Sequence, residues 1–191
     1  MTTERRRMRS NVFGLACALL LLALGAAVPR ASAQGDEVEE SVMTGAGQLD
    51  IVRLGNHDEI EWELRLGKKT IAGIAGASFI HFVAHFPQLS MGEVVVVSVN
   101  SGGNACPAQF RVVRIVENGA QVSDEFGDCA DSPTITLKQL PEEEITFGFP
   151  GYYQLWQTRE PGFVKPAPTA YVYKKGVLKE LKATGAKRRG R

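Results

Sequence analysis

Four consecutive valines, Val94 to Val97, lie in the middle of the run from Glu93 to Val99. Successive side chains of a strand point to opposite faces of its sheet, so a β-branched run without a polar break suits only a strand covered on both sides. Ser101-Gly102-Gly103-Asn104 ends the run with turn chemistry. A chain of 191 residues with 44% hydrophobic and 23% charged residues is long enough to build such a core in one domain. The same figures exclude an intrinsically disordered, collagenous or polytopic membrane chain.

The rest of the body supports a β reading. Ile60 to Leu66 alternates apolar and charged residues with period two, and Gly67-Lys68-Lys69 makes a turn into a partner strand over Thr70 to Ile74. Phe79 to Phe86 is apolar except for His81 and His85, and Pro87 stops it. Gln109 to Val116 runs into Asn118-Gly119, a hairpin signal because both positions tolerate positive φ. Short strands follow at Thr134 to Leu137 and Ile145 to Phe149, and a closing hairpin spans Tyr171 to Leu178. Gln157 to Thr169, with Pro161, Pro166 and Pro168, reads as an extended crossing segment. Many short strands at hairpin spacing predict an all-β fold, a small antiparallel sandwich or barrel.

The N-terminus reads as an address rather than structure. Arg5, Arg6, Arg7 and Arg9 form a positive head, Val12 to Val28 is apolar and uncharged, and Ala31-Ser32-Ala33 supplies small residues for signal peptidase. These are the parts of a Sec-type secretory signal, so residues 1–33 are expected to be removed. An uncleaved anchor is the competing reading, although the run reaches only the lower limit for spanning. The remaining organisation is expected to be a flexible leader over 34–48, a β domain over 49–183 and a basic tail over 184–191.

Beyond the signal, two cysteines remain, Cys106 and Cys129. An even pair in an exported chain is most simply a disulfide, and closing its loop of about 24 residues would contribute roughly 3–3.5 kcal/mol. Half of a zinc site is the alternative, but no His lies near enough to complete four ligands.

Charge is unevenly divided. Gln34 to Tyr173 carries 9 basic and 19 acidic residues, whereas Lys174 to Arg191 carries 8 basic and one acidic. A net charge of +1 over the whole chain leaves no broad footprint for nucleic acid. The basic tail could make weak contact with an anionic surface, but a solvated, frayed terminus accounts for it without any partner and is the favoured reading.

Few constellations carry chemistry. His81 and His85, four apart on a strand, are expected to share one face, and His57 could complete a metal site for a metal-dependent or other hydrolase. HxxxH lacks the adjacent Glu of the metalloprotease motif. Asp124, Glu125, Asp128 and Asp131 around Cys129 offer oxygen ligands for calcium, yet without the spacing of an EF-hand. Glu142-Glu143-Glu144 reads as a solvated turn. No nucleophile elbow, P-loop or dinucleotide fingerprint is present, so no catalytic residue and no cofactor is expected. Phe147, Phe149, Tyr152, Tyr153 and Trp156 concentrate aromatics that either form a binding surface or fill a core.

Gly102-Gly103-Asn104-Ala105-Cys106-Pro107 and Phe126-Gly127-Asp128-Cys129 resemble a loose group of uncharacterised exported bacterial β-rich proteins, which carry GG-x-x-C-P and FG-x-C segments. The similarity covers about Val94 to Pro150. It implies a disulfide-closed β domain in the bacterial envelope, periplasmic or secreted, and transfers no activity. The expected function is therefore a non-enzymatic envelope binding module, of which an inhibitor or immunity-type protein is one form, with an unidentified protein or envelope polymer as partner. The hydrolase using His57, His81 and His85 stands as the alternative.

Overall fold

A computed structural model describes residues 35–55, 61–103 and 105–181. The expected secretory signal over residues 1–33, His57 and the expected tail over 184–191 lie outside the described residues.

Twelve strands form three four-stranded antiparallel sheets. The first holds β1 (Glu37–Thr44), β2 (Gly47–Leu54), β3 (Glu61–Leu66) and β4 (Lys69–Ala75) in chain order. The second holds β5 (Phe79–Phe86), β6 (Glu93–Asn100), β7 (Gln109–Val116) and β8 (Gly119–Val122), also in chain order. The third runs β12 (Val177–Leu181), β11 (Thr169–Lys174), β10 (Glu144–Phe149), β9 (Thr134–Lys138). Every pairing is between consecutive strands, so each sheet is an antiparallel meander, and no sheet closes into a barrel.

The valine run explains the stacking. Val95 and Val97 join Val113 and Ile115 in one core, against Leu49, Ile51, Trp62, Leu64 and Ile74 of the first sheet. Val94 and Val96 enter a second core with Phe110 and Val112, against Ile145, Phe147, Phe149 and Tyr173 of the third sheet. Strand β6 thus feeds alternate side chains into two cores, and all four valines are fully buried. Each contributes roughly 1.5–3 kcal/mol of burial, which a two-layer sandwich could obtain from only half of them. The protein is a sandwich of three layers with the second sheet in the middle.

The disulfide forms between Cys106 and Cys129, with an S–S distance of 2.04 Å. The segment it closes brings Phe126 into the second core, where its ring meets Phe147 edge-on at 4.9 Å and Tyr171 at 5.2 Å.

The segment 34–48 departs from expectation. Instead of a flexible leader outside the domain, Glu37–Thr44 is edge strand β1, paired along β2. Its acidic residues obscured the strand pattern, and the structure gives them partners: Glu37 and Glu39 pair with Arg53, and Asp36 with Arg65. Charge on an edge strand also discourages further pairing with another chain. Among the described residues, no helix is long and apolar enough to cross a membrane.

Candidate functional site

The β10–β11 connection, residues 150–168, is too long for a simple turn, and loops of this length with defined structure are commonly functional. Its first residues turn sharply at Gly151, whose φ is +83°. A Cβ there would stand 2.3 Å from the Pro166 carbonyl oxygen, so the two ends of the loop touch backbone to backbone only because the residue is glycine. The Gly151 N–H donates to Asp128 Oδ2 at 2.7 Å, and Asp128 Oδ1 accepts the Ala130 N–H at 3.0 Å. Asp128 precedes Cys129, so the disulfide-closed segment carries the carboxylate that fixes the loop's base.

The arm is ordered by its own polar groups. Leu155–Arg159 forms a 3-10 helix. The Gln157 side chain accepts the Gln154 N–H at 2.6 Å, and the Thr158 hydroxyl donates to the Leu155 carbonyl at 2.7 Å. The Trp156 indole N–H donates to the Gln154 side-chain oxygen. Across the loop, the Tyr153 and Phe163 rings meet at 5.4 Å, with the Lys165 ammonium 5.6 Å from the centre of the Tyr153 ring. This bracing leaves Leu155 and Val164 each 82% exposed and Trp156 57% exposed. Three large apolar side chains exposed on one ordered loop suit contact with a partner.

The structure divides the predicted aromatic surface. Phe147 and Phe149 are buried at the centre of the second core and cannot contact a partner, because inward-facing positions of β10 alternate with Thr146 and Gly148. Tyr152 packs against the same core, and Tyr153 braces the loop. Only Trp156 of the five is displayed outward to this degree. Sequence reasoning missed Leu155 and Val164, since apolar residues in a proline-rich stretch carry no periodicity to mark them.

His81 and His85 do not share a face. A β-bulge at Val83 shifts the β5–β6 register: Phe82 stands opposite Val97, but Ala84 stands opposite Val96. The strand accordingly turns Ile80 and Phe82 to the first core, and Ala84 and Phe86 to the second. His81 falls opposite Ser98 and His85 opposite Val95, on opposite sides of the sheet. His85 Nε2 lies 2.5 Å from Glu93 Oε1, while Glu93 Oε2 accepts the Gly45 N–H at 2.7 Å. This pair ties the β1–β2 turn to the middle sheet. The buried Ser98 hydroxyl has no hydrogen-bond partner, and nothing positions it as a nucleophile. Among the described residues, no three His, Cys, Asp or Glu side chains converge to hold a metal.

The acidic residues around Cys129 are likewise dispersed. Glu125 pairs with Arg111, Asp128 holds Gly151 and Ala130, and Asp131 accepts from the Ser132 hydroxyl. Glu142-Glu143-Glu144, expected to be merely solvated, is a set of ties. Glu142 pairs with Lys174 and Lys175, Glu143 accepts the Ser90 N–H at 2.5 Å, and Glu144 pairs with Lys138 and Lys174. Hydrogen bonds from Lys174 and Lys175 hold the Glu142 carboxyl down at about 2. A cavity of about 250 Å³ beside these groups is lined by Ser90, Met91, Pro141, Glu142, Glu143 and Lys175, whose charges already satisfy one another or the backbone. Burial pushes the Tyr173 phenol up, which keeps it protonated as a core residue.

No protein-family model, curated protein or solved structure matches the chain.

Proposed function

We propose that this protein is an exported, non-enzymatic binding module that makes contact through the β10–β11 loop. The observation that carries the reading is the braced display of Leu155, Trp156 and Val164 in water, since order of this kind reduces the entropy lost on binding. Export to the periplasm or beyond follows from the secretory pattern over residues 1–33, and the Cys106–Cys129 disulfide is compatible with an oxidising compartment. A small module with an unidentified protein or envelope polymer as partner, including an inhibitor or immunity-type role, fits these features.

The test uses the protein recovered from its native location as bait for native envelope fractions. A Leu155→Asp, Trp156→Ala variant is expected to lose retention while His81→Ala, His85→Ala keeps it. Retention unchanged in the loop variant, or lost only in the histidine variant, overturns the reading.

A further inference from the structure

Among the described residues, two other than glycine have positive φ, and they differ in what requires it. Lys175, at φ 52°, forms with Gly176 the two-residue turn between β11 and β12, a hairpin that needs a left-handed backbone. Cys129, at φ 74°, lies between β8 and β9, outside any hairpin turn. A left-handed backbone is disfavoured for an L-residue because its Cβ crowds the following carbonyl oxygen. What keeps Cys129 there is its bond to Cys106 and the turn built around it.

That turn also fixes the loop. Asp128 Oδ1 accepts the Ala130 N–H at 3.0 Å, closing a ring over the Cys129 backbone, while Oδ2 accepts the Gly151 N–H at 2.7 Å. One carboxylate therefore joins the conformation of Cys129 to the base of the loop. The chain on either side is anchored without the disulfide. Phe126 exchanges both backbone hydrogen bonds with Phe110, each at 2.9 Å, and Phe126 and Ala130 are both buried in the second core. A change at Cys129 is confined to one turn between these anchors.

Neither cysteine is sealed in a core; both are half-buried. A cavity of about 100 Å³ is lined by Ala75, Val99, Ser101, Cys106, Gln109 and Glu125. Glu125 is paired with Arg111 at 2.8 Å, so its charge is matched where a thiolate would approach.

We infer that Cys106–Cys129 is a reducible latch on the β10–β11 loop, opened by a dithiol that reaches Cys106 through this cavity. The inference rests on the reading of the loop as a contact element. One thiolate of the dithiol attacks the Cys106 sulfur; a mixed disulfide forms, the Cys106–Cys129 bond breaks and Cys129 leaves as a thiolate. The second thiolate of the dithiol attacks its own partner sulfur in the mixed disulfide, and Cys106 leaves. The dithiol loses two electrons and two protons and becomes a disulfide, and the two cysteines take them up as thiols. Cys129 then relaxes toward an extended backbone, the Ala130 N–H turns away, and the Asp128 carboxylate is no longer held against Gly151. Left-handed backbone is disfavoured about 5–30-fold for a residue with a Cβ, and loop opening should rise by the same factor.

Protein recovered from its native location is treated with dithiothreitol without denaturant and alkylated, and peptide mapping assigns the label. Trypsin reports two sites. The cut after exposed Arg159 follows the loop, and the cut after Arg111 in β7, beside buried Val112, follows opening of the whole fold. The expected result is label on Cys106 and Cys129, an Arg159 cut about 5–30-fold faster, an Arg111 cut unchanged, and reversal on reoxidation. Cys106→Ser with Cys129→Ser should match the reduced protein. Cys106→Ser with Cys129→Gly should return to slow cutting at Arg159 without a disulfide, because glycine adopts φ 74° freely.

A disulfide that resists excess dithiothreitol in the folded protein, an Arg159 cut indifferent to reduction, or both cuts quickening together overturns the latch. Equal cutting of the Ser and Gly variants overturns it as well. Retention on envelope fractions separates the latch from the loop's contact role. If the latch fails while Leu155→Asp, Trp156→Ala still loses retention, the binding module stands. If reduction frees the loop and retention is unchanged, the latch stands and the loop's contact role falls.

Discussion

Gly151 and Gly162 lie in the same loop with nearly the same backbone, φ +83° and +80°, yet they meet different surroundings. At Gly162 a Cβ would meet nothing within 4 Å, so Gly162→Ala tests the left-handed conformation alone. That conformation costs an L-residue about 1–2 kcal/mol, offset by about 0.4–1 kcal/mol from the stiffer unfolded chain. A net loss of about 1 kcal/mol follows. At Gly151 the added Cβ would also stand 2.3 Å from the Pro166 oxygen and 3.0 Å from its carbonyl carbon, both backbone atoms. The loop must open at its base to admit the methyl, which displaces Gly151 from Asp128 as well, and a lost hydrogen bond to a charged group is worth about 1.5–3 kcal/mol. Gly151→Ala is therefore expected to lose about 3 kcal/mol. Urea unfolding of the two variants beside the wild type measures the difference, and about 2–4 °C of Tm per kcal/mol gives a thermal check. Equal losses at the two positions would refute the reasoning, because they would mean that the loop's ends are not held against each other.

Two further outcomes are expected. Replacing both Cys106 and Cys129 by Ser should lower stability by about 3 kcal/mol in urea and expose the 150–168 loop to proteolysis, since Asp128 is adjacent to Cys129; a variant with wild-type stability would show that the second core alone fixes Asp128. Glu142 contributes through Lys174 and Lys175, and its lowered carboxyl makes that contribution present above the ordinary value of 4.5 and lost as pH falls through about 2. The stability difference between wild type and Glu142→Gln should then close as pH is lowered from about 4.5 to about 2, and a gap that stays constant across that window would show that the carboxyl's ionisation is not involved. The group is exposed, so the gap is expected to shrink in high salt.

Much of the strand plan was legible because hairpins are local. Gly67-Lys68 is a turn that hardly depends on the rest of the fold, the β7–β8 hairpin forms where it was expected but turns at Glu117-Asn118 with Gly119 already paired in β8, and β7 occupies the same residues, 109–116, that its pattern marks. Strand β1 was hidden because its sequence, Glu37 to Thr44, satisfies the charges of Glu37 and Glu39 with Arg53, which belongs to another strand. The histidines were misplaced for a related reason. Period-two reasoning assumes an unbroken ladder, and the extra residue at Val83 is defined only by how β5 registers against β6. The candidate loop was half visible: Trp156 stood out, whereas Phe147 and Phe149 shared its composition and proved to be core.

What the amino-acid order determined alone was the β class, the turns, the cysteine pair and the double burial of Val94 to Val97, because each depends on side-chain alternation, turn geometry or composition within a few residues. Only the tertiary structure decided which sheet covers each face, that β5 changes faces at Val83, and that Asp128 holds Gly151 across 23 residues. These are contacts between distant parts of the chain. Their energies come from packing and paired polar groups that exist only once the layers have met, so no local pattern records them.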